Sequence, residues 1–181
     1  MCDTHFNMNG QTTFRIESKK KISDQQIVSM IVNISSAPSV SSIDSFARSM
    51  KDKGVTDIFC FCKLAYDSKV MEKYQIDFHY LEFEDGKYPD DQMIQRFNTL
   101  IDQISQRAEK NNSIPNINMH CHAGMGRAPT FLAYLMISRY GWGNVDTIDW
   151  IRKWRRGSFN KTQLNWIIDL KPPVKKQCLI M

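Results

Sequence analysis

The sequence lacks the features that would place a chain in a membrane or a secretory framework. No apolar run approaches the roughly 20 residues that a bilayer-spanning helix needs, and no N-terminal stretch has the order of a signal peptide. The five cysteines, Cys2, Cys60, Cys62, Cys121 and Cys178, form no paired framework. That excludes a disulfide-stapled scaffold and sets the expectation of a reducing, cytosolic compartment. A large excess of charge of one sign is also lacking. A formal net charge of +5 favours anionic partners, such as phosphorylated ligands or acidic lipid, and is too mild for a nucleic-acid binder. No internal repeat and no linker-like stretch divides the chain.

What is present suits one α/β domain. A chain of 181 residues with 42% apolar and 24% charged side chains can bury a sizeable core. Residues 1–25 are polar and unpatterned, carry Lys19-Lys20-Lys21, and read as a disordered extension. Residues 26–170 read as the folded domain and 171–181 as a basic tail. A strand is expected over 27–34, a helix through Ile43, Phe46, Ala47 and Met50 that Gly54 ends, and a buried strand over 55–61. A further strand over 76–83 precedes an amphipathic helix over 91–110, whose stripe is Met93, Ile94, Phe97, Leu100, Ile101 and Ile104. A strand at 114–119, a helix at 130–140 that is apolar nearly all round, and two more helices complete the chain. This alternation predicts a central, mostly parallel sheet flanked by helices.

The chemistry concentrates in residues 119–129, Met-His-Cys-His-Ala-Gly-Met-Gly-Arg-Ala-Pro. A strand, a tight loop with two glycines and a helix start turn several backbone N–H groups toward one point, where the helix dipole adds partial positive charge. Successive amides in a concave nest bind an anion. The amides of His122, Ala123, Gly124, Met125, Gly126 and Arg127 are the expected phosphate-binding set, and Arg127 supplies a planar fork for two phosphate oxygens. Cys121 lies where that field lowers a thiol pKa, so a thiolate would sit beneath a phosphate cradle, ready to attack phosphorus. His120 is expected to orient it. The nest and Arg127 carry the charge stabilisation, so this chemistry calls for no metal and no cofactor.

His120 to Pro129 resembles the signature loop of the cysteine-based protein tyrosine and dual-specificity phosphatases. It most resembles the PRL (phosphatase of regenerating liver) group, whose loop ends in Arg-Ala-Pro, as Arg127-Ala128-Pro129 does. The resemblance extends from about residue 26 to the C-terminus and includes the run 155–160. It implies a single-domain cysteine-phosphatase fold and a phosphocysteine mechanism on phosphotyrosine, phosphoserine or phosphothreonine proteins. The family's general acid is the Asp before a glycine in a mobile loop, which is Asp85 here, with Glu84 as the alternative. The sequence departs from the family at the loop entrance, where Leu81-Glu82 replaces Trp-Pro. It departs again at His122, where the group carries an apolar residue.

The same resemblance implies a reversible Cys62–Cys121 disulfide that protects the nucleophile. Cys60 is expected to face away from it, into the core. Ala128 stands where most cysteine phosphatases carry Ser or Thr, a hydroxyl that helps the thiolate leave, so a slow second step is expected. Arg152, Lys153, Arg155 and Arg156 form a basic cluster, read either as helix C-terminal cations or as an attraction for phosphorylated ligands and acidic lipid. Cys178-Leu179-Ile180-Met181 fits a prenylation signal that favours farnesyl at Cys178, with Lys171, Lys175 and Lys176 as a modest second membrane signal. The resemblance further implies removal of 179–181 after prenylation. The expected location is the cytoplasmic face of plasma and endosomal membranes, with a soluble cytosolic pool. The alternative function is a binding module that regulates a CNNM-type magnesium transporter. A phosphoinositide phosphatase is a third reading, and a homo-oligomer stays open.

Overall fold

The computed structural model describes residues 4–6, 10–17 and 29–171. Its sheet has six strands: β1 (Thr4–Phe6), β2 (Thr12–Ile16), β3 (Met30–Ser36), β4 (Asp57–Cys60), β5 (Asp77–Tyr80) and β6 (Asn116–Cys121), in the order β1-β2-β3-β6-β4-β5. The pairs β3–β6, β4–β6 and β4–β5 are parallel, while β1–β2 and β2–β3 are antiparallel. The expected mostly parallel sheet is therefore present, with an antiparallel edge. That edge corrects the reading of 1–25 as disordered. Residues 12–16 pair with β3 from Thr12↔Ile34 to Ile16↔Met30, because Thr-Thr-Phe-Arg-Ile alternates. Phe14 and Ile16 are fully buried, and Thr13 and Arg15, on the other face, are half-buried.

Two helices cover one face of the sheet, α1 (Ile43–Asp52) and α2 (Val70–Lys73). Ile43, Ala47, Met50, Ile58, Tyr66 and Met71 form the core on that side. The opposite side holds α3 (Asp91–Lys110), α4 (Arg127–Ser138), α5 (Asn144–Trp154) and α6 (Lys161–Asp169). Helix α3 starts where Asp90 accepts a hydrogen bond from the Met93 amide at 2.7 Å, so the first turn has its cap. Helix α4 is buried almost throughout, which is why its sequence shows no polar face. Phe131 on it stacks on Phe61 at 4.4 Å and meets Phe97 at 4.6 Å. Each such pair contributes about 0.5–1.5 kcal/mol beyond its burial.

The central strands β3 and β6 carry a polar stripe toward α1. Asn33 donates to Asn116 Oδ1 at 2.9 Å, and Asn118 donates to Ser35 Oγ at 3.2 Å. These amides satisfy one another in the interior, fixing the register of the two strands. With a period of two, the stripe Asn116, Asn118 leads to His120 and puts Cys121 on the other face at the strand's C-terminal end.

Candidate active site

Strand β6 ends at Cys121, which is 3% exposed, and α4 begins at Arg127, which is 6% exposed. The five residues between them form a loop whose carbonyls are taken from outside. The Ala37 amide donates to Cys121 O at 2.8 Å and to His122 O at 3.1 Å. The Phe159 amide donates to Met125 O at 3.0 Å, and the Thr130 hydroxyl donates to Gly126 O at 2.9 Å. Gly126, the N-cap of α4, supplies no side chain to its first turn. Among the described residues, no acceptor takes the amides of residues 122–126. A loop with tethered carbonyls and unpaired amides at a helix N-terminus is an anion cradle. Gly124 makes its shape achievable. It has φ +68°, and a Cβ there would lie 2.6 Å from Ser35 O.

Arg155 is the residue that sequence reasoning misread. It is not a surface cation but a buried one, 8% exposed. Its Nε donates to Gly124 O at 2.9 Å, and its Nη1 donates to Gly10 O at 2.9 Å and Thr12 Oγ1 at 3.0 Å. It thus ties the loop to the N-terminal edge of the sheet. Burial draws its pKa below the usual arginine range, and negative charge on Cys121 opposes that shift. The rest of the cluster divides: Arg152 donates to Ser158 O at 3.0 Å, Lys153 lies over the Trp154 ring, and Arg156 is exposed.

The structure brings Asp85 to the loop. Arg127 Nε lies 3.1 Å from Asp85 Oδ1, outside hydrogen-bond alignment, and Arg127 Nη1 donates to Phe83 O at 3.1 Å. Asp85 itself is 80% exposed, so its carboxylate faces both Arg127 and solvent. The segment around it is held by α6. Asn160 donates to Gly86 O at 2.9 Å and Gln163 donates to Lys87 O at 3.0 Å. Gln163 also lies against the loop, since a Cβ on Gly126 would come 3.1 Å from its Nε2. Asn160 and Gln163 also form the capping box of α6, so the same two side chains start the helix and hold the segment after Asp85. At the loop entrance, Leu81 is buried and Phe83 sits edge-on to Phe131 at 5.8 Å. Apolar anchoring there survives without Trp-Pro.

His122 and Ala123 are exposed, Met125 and Gly126 are half-buried, and Ala128 is fully buried. Cys60, Cys62 and Cys121 are free thiols. The expectation for Cys60 is corrected. In an extended chain residues two apart share a face, and the Cys60 and Cys62 sulfurs and a ring nitrogen of His120 lie within 4.8 Å of one another. The Cys60 thiol donates to Cys62 O at 3.1 Å. The Cys62 hydrogen bond and burial push Cys60 up, whereas the Cys60 hydrogen bond, with His120 and Arg127, draws Cys62 down against burial. Cys178 and Cys2 lie outside the described residues.

Comparison with known proteins gives a consistent picture. A family model described as "PTP-SAK: Swiss Army Knife protein, DSP-PTPase phosphatase domain" matches residues 25–165. The protein tyrosine phosphatase PRL-1 of Trypanosoma cruzi is 33% identical over 158 residues, covering 87% of this chain and 86% of that protein. The mouse protein tyrosine phosphatase type IVA 2 is 30% identical, covering 76% and 80%. A solved Leishmania major structure, described as a protein tyrosine phosphatase, superposes with a TM-score of 0.74 at 28% identity, covering 87% of this chain and 97% of that one.

Proposed function

As the chain belongs to the PRL group of the cysteine-based DSP-PTPase phosphatases, we propose that it hydrolyses phosphate monoesters on proteins through a phosphocysteine at Cys121. The observation that carries the reading is the loop itself. Its amides at residues 122–126 lack acceptors among the described residues, while Arg127 closes one side and Asp85 stands 3.1 Å from that arginine. The Cys121 thiolate attacks phosphorus, and the amides and Arg127 hold the equatorial oxygens as charge shifts onto them. Asp85 gives its proton to the departing alkoxide or phenoxide. Asp85 then takes a proton from water, the water oxygen attacks the phosphocysteine, and phosphate leaves as the thiolate re-forms. The fully buried Ala128 offers no hydroxyl to that second departure. Losing one such hydrogen bond costs about 1.5–3 kcal/mol, or roughly ten- to a hundredfold in rate, so the phosphoenzyme accumulates.

In this reading Cys62 is the thiol that shields Cys121 by a reversible disulfide. Prenylation of Cys178, with the neighbouring lysines, holds the enzyme on a cytoplasmic membrane face, next to membrane-associated phosphoproteins. The test is turnover of a phosphotyrosyl peptide by the reduced full-length protein, wild type against Cys121→Ser. Turnover that vanishes in the variant is expected. Turnover that survives in it, or is absent from both, overturns the proposal.

A further inference from the structure

Behind the catalytic loop lies a cluster whose two cysteines take no part in the steps of phosphate hydrolysis. Cys60 and His120 are fully buried and Cys62 is 5% exposed. Their ligand atoms, two sulfurs and one imidazole nitrogen, lie within 4.8 Å of one another. The pairing Cys60↔His120 between β4 and β6 puts two of them side by side, and the extended chain past β4 adds Cys62 to the same face. The ring of His120 supplies a second, independent observation. Its Nε2 is 2.8 Å from the Tyr66 hydroxyl, whereas its Nδ1 is buried with no partner among the described residues. A buried nitrogen of that kind costs stability unless something occupies its lone pair. In the tautomer that keeps the proton on Nε2, directed at Tyr66, Nδ1 is the basic nitrogen, oriented by a hydrogen-bonded neighbour as metal-bound histidines are.

We propose that Cys60, Cys62 and His120 form a binding site for a single Zn²⁺ ion, which the family chemistry neither needs nor uses. Two thiolates and one imidazole are the ligand set that zinc takes, with Zn–S near 2.3 Å and Zn–N near 2.0–2.1 Å. Tetrahedral geometry sets those ligand atoms roughly 3.6–3.8 Å apart, so the side chains, already within 4.8 Å of one another, close by at most about 1 Å. Each thiol that binds releases its proton to solvent. Two thiolates and one dication sum to zero charge, which suits walls made by the Phe46 and Tyr66 rings. The fourth position is left to water or to another donor. A bound ion occupies Cys62 and grips His120, the residue next to the nucleophile. Zinc therefore withdraws the shielding thiol and couples metal availability to the phosphatase loop.

The site is tested in the full-length reduced Cys121→Ser protein, so that neither the catalytic thiolate nor activity enters the measurement. Zn²⁺ is titrated against a chromophoric chelator, and Co²⁺ is used as the spectroscopic probe. The expected results are one Zn²⁺ per chain and, for Co²⁺, thiolate charge-transfer bands with tetrahedral ligand-field bands. Cys60→Ser in the same background weakens zinc binding by at least about a hundredfold, more than loss of an outer-shell partner does. Tyr66→Phe, which leaves all three ligands, weakens it by about 10–100-fold. Absence of stoichiometric zinc with the cysteines reduced, or a Co²⁺ spectrum without thiolate bands, overturns the proposal without depending on any variant's folding. So does binding that is present in wild type but lost in Cys121→Ser, which would place the metal on the nucleophile instead.

Discussion

Arg155→Met tests whether a buried cation far along the chain shapes the phosphate loop. Wild-type Arg155 donates to Gly124 O, Gly10 O and Thr12 Oγ1 at 2.9, 2.9 and 3.0 Å. Hydrogen bonds from a charged donor contribute about 1.5–3 kcal/mol each, which for three sets a gross upper range of about 4.5–9. Taking a guanidinium out of water, with hydrogen bonds but no carboxylate facing it, costs several kcal/mol in return. The net expectation is a loss of about 2–4 kcal/mol in urea unfolding, the difference of those two terms. The effect on catalysis is separate. Freed of its anchor, Gly124 O turns, and the neighbouring amide leaves the anion, so kcat/KM on an aryl phosphate falls about 10–100-fold, the loss expected of about 1.4–2.7 kcal/mol of transition-state stabilisation. Arg155→Lys keeps the charge but not the fork and falls between the two. Folded Arg155→Met with wild-type kcat/KM would refute the claim that Arg155 positions the loop.

Other predictions concern neighbouring parts of the site and the core. Gly124→Ala, with φ +68° and a Cβ 2.6 Å from Ser35 O, loses at least about a hundredfold in kcat/KM, because the strained residue costs roughly 1–2 kcal/mol and the clash moves the loop. Asp85→Asn slows a poor alkyl or tyrosyl leaving group by about 10²–10⁴ but a good nitrophenyl leaving group far less. Equal losses on both substrates would remove Asp85 as the proton donor. Asp57 is buried and accepts from His79, Thr56 and Arg107. Burial raises its pKa, yet those hydrogen bonds and the Arg107 charge bring it below the usual carboxylate value. A depressed folded pKa gives stability that is complete above the unfolded value near 3.9 and is lost as pH falls through the folded one. Urea unfolding of Asp57→Asn therefore shows a deficit of about 1–3 kcal/mol at pH 7 that shrinks below about pH 4. A deficit constant down to pH 3 contradicts this account of the carboxylate.

Cys121 and Arg127 were legible because the cradle is local. Strand end, glycines and helix start stand within a few residues, and the chemistry of each follows from its neighbours. The helix through Ile43, Phe46, Ala47 and Met50 and the helix over 91–110 were legible from their apolar stripes. The partners of the loop were not, because they arrive from afar. Arg155 sits near the end of α5, where a cation suits the helix dipole, and only the packing of α5 against β2, where Trp150 meets Phe14, turns it inward. Gln163 belongs to the capping box of α6, and its contact to Lys87 O exists only once α6 meets the Asp85 segment. Strand β2 was hidden because five alternating residues stand in a polar stretch, with the partner that buries them farther along the chain. The Cys60–Cys62–His120 cluster needs the pairing of β4 with β6, which spacing along the chain does not reveal.

The most direct measurement of the central claim is an acid-quenched burst with ³²P-labelled phosphoester on the reduced protein, comparing wild type, Cys121→Ser and Ala128→Ser. The account predicts close to one labelled phosphate per wild-type chain, followed by slow turnover. It predicts none on Cys121→Ser and a faster steady rate in Ala128→Ser. Turnover without a trapped phosphoenzyme in wild type, or label retained on Cys121→Ser, would contradict it.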